Sequence, residues 1–180
     1  TLGDNYLSRY VRICSKLVIG ANILPKKEHT GKNQLSKSVL SKTTIIELPN
    51  LSSLNGIFFD RIKFKTIIER LVCESDVVVI RYPIFLGIYA VKAAKKHNKP
   101  YLIELVGCPW DALWNHSWKG KLVAPFMWHA TKKAVKNAPY VLYVTNEFLQ
   151  HRYPTTGRNI GCSNVVLPTL DESVYIKLNK

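Results

Sequence analysis

Three features of the 180-residue sequence predict an α/β fold built on an open, parallel sheet. The run 76–80 (DVVVI) has no polar alternation, the pattern of a strand covered on both faces. Ahead of it, Phe64, Ile67, Ile68, Leu71 and Val72 recur at the spacing of a buried helix stripe. Third, the segments AAKKHNKPYLIELVG and AVKNAPYVLYVTN repeat one order: basic helix end, Asn, one spacer residue, Pro, Tyr, apolar strand. Helix alternating with buried strand at this spacing marks βαβ units, whose right-handed crossovers place helices on both faces of the sheet. The expected architecture is a single Rossmann-like domain with helices on both faces.

Taken in order, Tyr6, Leu7, Tyr10 and Val11 form a short amphipathic helical patch, and 16–19 (KLVI) reads as a strand ending at Gly20. Residues 25–42, rich in Lys, Ser, Asn and Gly, read as an exposed loop. The β-branched run 43–48 (TTIIEL) closes on Pro49-Asn50 as a strand and turn. Asp60 is placed to cap the helix carrying the Phe64–Val72 stripe. After strand 76–80 a helix is expected from about Ile84 to His97, its last turn carrying Lys95 and Lys96 at the negative end of the dipole. Strands 101–106 and 140–144 flank a connection with four Trp, and 165–167 reads as a last short strand.

The charge balance narrows the partners. With 26 Lys+Arg against 12 Asp+Glu, the net charge of +14 favours an anionic partner such as phosphate groups, nucleic acid or an acidic membrane face. Aromatic and basic residues mix in the Trp-rich connection, where Trp114, Trp118, Lys119 and Lys121 are candidates for contact with a membrane or an acceptor. No recognisable element for reading nucleic acid accompanies them, so nucleic acid is not the expected partner. The four cysteines are scattered and form no CxxC pair, which suits reduced thiols in the cytoplasm better than a disulfide framework or a zinc site. The most apolar window, 77–91, is broken by Arg81 and Pro83 and falls short of the roughly 20 residues needed to span a bilayer, so membrane contact is expected to be peripheral, on the inner face of the plasma membrane.

In an open parallel sheet, ligands gather at the loops leaving the carboxyl ends of the strands. Three such loops bear chemistry: Arg81-Tyr82-Pro83, Gly107-Cys108-Pro109-Trp110-Asp111, and Thr145-Asn146-Glu147. A guanidinium suits phosphate, while carboxylates and amides suit sugar hydroxyls. Each residue also has a structural reading, Arg81 as an ion-pair partner and Asp111 and Glu147 as helix caps. Cys108 reads as a small buried thiol, since no His stands at an instructive spacing. No HExxH, GxGxxG or GxxxxGK[ST] occurs, so neither a metal site nor a tightly held nucleotide cofactor is expected.

The segments LVGCPWDALWNHSWKGKLVAP, YVLYVTNEFLQHRYP and CSNVVLP resemble the N-terminal half of bacterial glycosyltransferases of the GT-B fold, of the family 4 type found in capsular and cell-surface polysaccharide clusters. The likeness covers about Asp76 to Pro168 well and the first 75 residues in outline. It implies retaining, metal-independent transfer from a nucleotide sugar, bound as substrate, to a saccharide or lipid-linked acceptor. It also implies a two-domain enzyme whose N-terminal domain shapes the acceptor side and whose C-terminal domain, with its paired-glutamate motif, holds the donor. That second domain and the family's first glycine-rich loop are not in this sequence, so the chain alone is expected to be inactive. Many members carry a His after the strand matching 101–106, where this sequence has Gly107-Cys108, so no catalytic residue carries over. What carries over is a cleft lined by Arg81, Tyr82, Gly107, Asp111, Thr145, Asn146 and Glu147. The alternative is a non-catalytic module that docks a partner enzyme or a membrane.

Overall fold

The computed structural model describes residues 4–21, 41–49 and 61–163. Helix α1 (Asp4–Val11) leads into strand β1 (Leu17–Ala21), which pairs in parallel with β2 (Thr43–Glu47). Helix α2 (Arg61–Cys73) leads to β3 (Val78–Tyr82), and α3 (Phe85–Lys96) to β4 (Tyr101–Leu105). Two helices, α4 (Pro109–Trp114) and α5 (Trp118–Lys136), connect β4 to β5 (Tyr140–Tyr143). The short α6 (Phe148–Arg152) precedes β6 (Arg158–Gly161). Every described strand pair is parallel, and each connection that contains a helix is a crossover, as the alternation of helix and strand predicts.

The strands form two sheets rather than one. Strands β1 and β2 make a pair, while β3-β4-β5-β6 make a four-stranded sheet in that order. Register explains which residues are buried. Ile80 stands beside Ile103 and Tyr82 beside Leu105, and these in turn stand beside Val141 and Tyr143, so one face of the sheet is a continuous apolar layer. Against it pack Phe64, Ile68 and Val72 of α2, Ala90, Ala93 and Ala94 of α3, and Val135 of α5. The Phe64–Val72 stripe is therefore core, each fully buried side chain contributing about 1.5–3 kcal/mol before entropy is counted. The opposite face is thinly covered. It carries α1 over Arg81 and Glu104, while Val79 (41%) and Ile160 (63%) remain exposed.

Helix α1 forms as its pattern predicts, with Leu7 and Val11 buried against Leu17 and Ile19. Other expectations shift. The third strand begins two residues later than 76–80 and runs on through Arg81 and Tyr82, because Val78 N bonds Pro100 O at 3.0 Å and Val106 N bonds Tyr82 O at 2.9 Å. The last described strand is Arg158–Gly161, which has no apolar pattern and is held by backbone bonds such as Arg158 N to Pro139 O (3.0 Å) and Cys162 N to Tyr143 O (2.7 Å). The predicted strand 165–167, the predicted cap Asp60 and residues 25–40 of the predicted loop lie outside the described residues.

Candidate functional site

The carboxyl ends of β3 to β6 define one edge of the larger sheet, and most of the sequence-predicted residues meet there. The loop after β5 is built around Thr145. Its Oγ1 accepts from Leu149 N at 3.0 Å, which satisfies a free amide at the start of α6, and donates to Gln150 Oε1 at 3.1 Å. Gln150 Nε2 in turn donates to Thr145 O. Thr145 is thereby a structural residue of the loop. Asn146 and Glu147 are left exposed beside it. Glu147 occupies the cap position of α6 but makes no capping bond with its side chain. Asn146 lies over the end of β6, where a Cβ on Gly161 would stand 2.6 Å from Asn146 Oδ1.

The loop after β4 meets that after β5 through charge. Arg152 Nη2 donates to Asp111 Oδ1 at 3.3 Å, linking α6 to the first turn of α4. Asp111 is therefore an ion-pair partner in the first turn, not the cap, a position held by Cys108. A shallow, open depression lined by Glu147, Phe148, His151 and Arg152 adjoins this pair. Gly107 has open space around its Cα and no left-handed backbone, so it is not a strained turn; its lack of a side chain leaves the edge uncovered.

Beneath the edge, Cys108 is buried, with Sγ 3.1 Å from Tyr153 Oη, while Tyr143 OH donates to Tyr153 O at 2.6 Å. Burial raises the Tyr143 phenol to about 12. It pushes Tyr153 higher still, with the bond to Cys108 adding to the effect. Both phenols stay neutral at ordinary pH and anchor the loops.

Two of the predicted cleft residues belong elsewhere. Tyr82 is 1% exposed, its ring packed against Gly87 in the core, so it cannot line a cleft. Arg81 is half-buried on the thinly covered sheet face, beside Glu104 in register, and its guanidinium lies 4.8 Å from the centre of the Tyr6 ring. The Tyr6 hydroxyl donates to Glu104 Oε2, and Glu104, fully buried, has no partner for Oε1 among the described residues. Burial first, then the bond to Glu104, raises the Tyr6 phenol far above its usual value. Sequence reasoning passed over Glu104, Tyr6 and Arg152. A lone carboxylate inside the apolar run YLIELV was the signal for the first; Arg152 and Tyr6 find their partners only through tertiary structure.

The Trp-rich connection is helical rather than a loop. Pro109 opens α4, and Ser117 caps α5 by accepting from Gly120 N at 3.1 Å. Trp110 stacks on Trp114 at 4.8 Å and meets Trp128 edge-on at 6.2 Å, so three of the four indoles pack with one another. Trp118 stands apart, 70% exposed, and begins an outward stripe on α5 with Leu122 and Phe126; Phe126 stacks on Phe85 at 6.3 Å. Lys119 and Lys121 flank the stripe, each about one cation–π distance from Trp118 and Trp114 respectively (5.7 Å). Trp114, Trp118 and Lys121 share a shallow concavity at the α4–α5 turn. Among the described residues no helix is long and apolar enough to cross a membrane.

No family model matches the sequence. The chain is similar to Protein CapJ of Staphylococcus aureus, with 36% identity over 176 residues, a match that takes in 90% of this chain and 44% of CapJ. The chain thus spans less than half the length of that curated relative.

Proposed function

We propose that this chain is the acceptor-side part of a glycosyltransferase of capsular polysaccharide synthesis, passing a sugar from a nucleotide-sugar donor to a saccharide or lipid-linked acceptor. The observation that carries the reading is the 36% identity to CapJ across nearly the whole chain, since that protein's name points to the capsule. The strand-end edge is in keeping with it. Asn146, Glu147 and the Asp111–Arg152 pair give that edge polar groups of the kind that suit sugar hydroxyls, and Gly107 leaves it uncovered. Retention of configuration and independence from metal follow from the resemblance to GT-B enzymes of family 4. In this reading a second, donor-holding domain completes the cleft, and the chain alone does not turn over. It acts in the cytoplasm, docked on the inner face of the plasma membrane.

The exposed Trp118, Leu122 and Phe126, with Lys119 and Lys121 beside them, suit contact with an anionic membrane carrying a lipid-linked acceptor. The same stripe also suits a second reading, a non-catalytic module that docks a partner enzyme. A chimera separates the two. The span of CapJ that matches this chain is replaced by this chain, and sugar transfer from a panel of nucleotide sugars to membrane extracts is compared with intact CapJ. Transfer by the chimera supports the enzyme reading, and a folded chimera that transfers nothing contradicts it.

A further inference from the structure

We propose that Phe148 is a stacking platform for one uncharged sugar ring, which lies in the depression beside α6 with its hydroxyls against Glu147, His151 and the Asp111–Arg152 pair. That the ligand is a sugar rests on the sugar-transfer reading. That it is uncharged, and that an aromatic ring holds it, comes from the side chains of the depression.

Phe148 is 52% exposed, yet the turn that carries it is held in place. Leu149 beside it is 1% exposed and Tyr153 is fully buried, so α6 is keyed into the core from its other side. Thr145 Oγ1 already takes the Leu149 amide at 3.0 Å, so the groups offered to a ligand are side chains rather than that amide. A phenyl ring left half in water contributes little to the core. A pyranose, one face of which is built of C–H groups, covers such a ring while its hydroxyls turn to the polar groups around it.

Those polar groups select the charge of the ligand. Glu147, His151 and Arg152 line the same depression as Phe148, and Asp111 joins them by accepting from Arg152 Nη2 at 3.3 Å. The Arg152 guanidinium also lies 5.7 Å from the centre of the Phe148 ring, so carboxylate, guanidinium and aromatic ring form one connected surface. Two carboxylates against one guanidinium, with His151 neutral, leave the place slightly negative in a chain whose net charge is +14. A phosphate or a uronate would meet both carboxylates there, whereas a hydroxyl donates to a carboxylate and accepts from a guanidinium. Among the described residues no lysine lines this depression; Lys121 belongs to the separate concavity at the α4–α5 turn. An uncharged ring of the acceptor therefore fits, and the diphosphate of a nucleotide sugar does not.

Saturation-transfer NMR on the 180-residue chain tests this. The probes are neutral methyl glycosides of glucose, galactose, mannose and N-acetylglucosamine, with sodium glucuronate and inorganic pyrophosphate as competitors. At least one neutral glycoside should receive saturation, strongest at its ring C–H protons, and neither anion should displace it at equal concentration. The signal should fall about fivefold or more in Phe148→Ala and in Phe148→Leu, which keeps the apolar bulk, and should survive in Phe148→Tyr. Since the side chain is half exposed, these variants should keep the parent's amide spectrum away from α6. No saturation of any neutral glycoside, a signal unmoved in Phe148→Leu, or displacement by glucuronate or pyrophosphate overturns the proposal. The sugar-transfer reading fails separately: a folded CapJ chimera that transfers nothing sinks it, while a glycoside signal that depends on Phe148 leaves the platform standing.

Discussion

The Arg81 guanidinium lies 4.8 Å from the centre of the Tyr6 ring, and through the Tyr6 hydroxyl it is tied to Glu104, a fully buried carboxylate on the neighbouring strand. This contact fixes α1 to the larger sheet across 98 residues of sequence. Tyr6→Phe removes the hydrogen bond to Glu104 Oε2 and leaves both carboxylate oxygens without a partner among the described residues. It should cost about 1–3 kcal/mol in urea melts. The double variant Tyr6→Phe with Glu104→Leu should recover part of that loss, because no buried carboxyl group is then left without a partner.

The tyrosines make the fold sensitive to alkali. Tyr6, Tyr82, Tyr143 and Tyr153 all have phenols raised above the usual 10.0, chiefly by burial, with Tyr143 at about 12. A raised folded-state value means that the unfolded chain loses its protons first. The stability these groups contribute is fully present below about pH 10 and is lost as pH rises through their folded values. Melting temperature should therefore fall steeply between about pH 10 and pH 12, with tyrosinate absorbance appearing together with unfolding rather than before it. Tyrosinate signal that rises well before the fold is lost would contradict this.

Much of this architecture was legible in the residues, and what was not has physical causes. Phe64, Ile68 and Val72 revealed their helix because one buried stripe imposes one period. The third strand was misplaced by two residues because Val77 looks like strand but is 62% exposed, while Arg81 and Tyr82 look like loop but pair with Glu104 and Leu105. Pairing partners, not composition, set where a ladder begins. The strand Arg158–Gly161 exists through backbone bonds alone and carries no side-chain signal. At the candidate site, sequence placed Asp111, Asn146 and Glu147 at one edge. The sheet withdrew Tyr82 into the core and added Arg152, which only tertiary contact brings to Asp111.

Helix α4 is held close to α5 at Gly120, where a Cβ would press into the backbone carbonyl of Leu113. Gly120→Ala should separate the two helices and disturb the stacking of Trp110 on Trp114. A loss of about 1–3 kcal/mol is expected, with a matching change in tryptophan near-ultraviolet dichroism. Retained dichroism with retained stability would show that the turn has room to give.

The outward stripe on α5 predicts lipid dependence. Trp118→Glu together with Leu122→Glu changes side chains that are 70% and 73% exposed, so stability should move by less than about 0.5 kcal/mol. Flotation with anionic vesicles should drop several-fold, and neutral vesicles should bind neither form. Equal flotation of both forms would remove the stripe as a membrane contact.

The Asp111–Arg152 pair separates structure from function. Both side chains are substantially exposed, at 47% and 36%, so Asp111→Asn should cost no more than about 1 kcal/mol of stability. If the pair lines a sugar site, the same change in the CapJ chimera should lower transfer by about tenfold or more, since a neutral amide holds a bound hydroxyl more weakly than a carboxylate and no longer pairs with Arg152.

The most direct measurement is sugar transfer by that chimera, with this chain in place of the matching span of CapJ, against the isolated chain and intact CapJ. The account predicts transfer by the chimera and by CapJ from the same nucleotide sugar, and none by the isolated chain. A folded chimera without transfer, or turnover by the isolated chain, would contradict it.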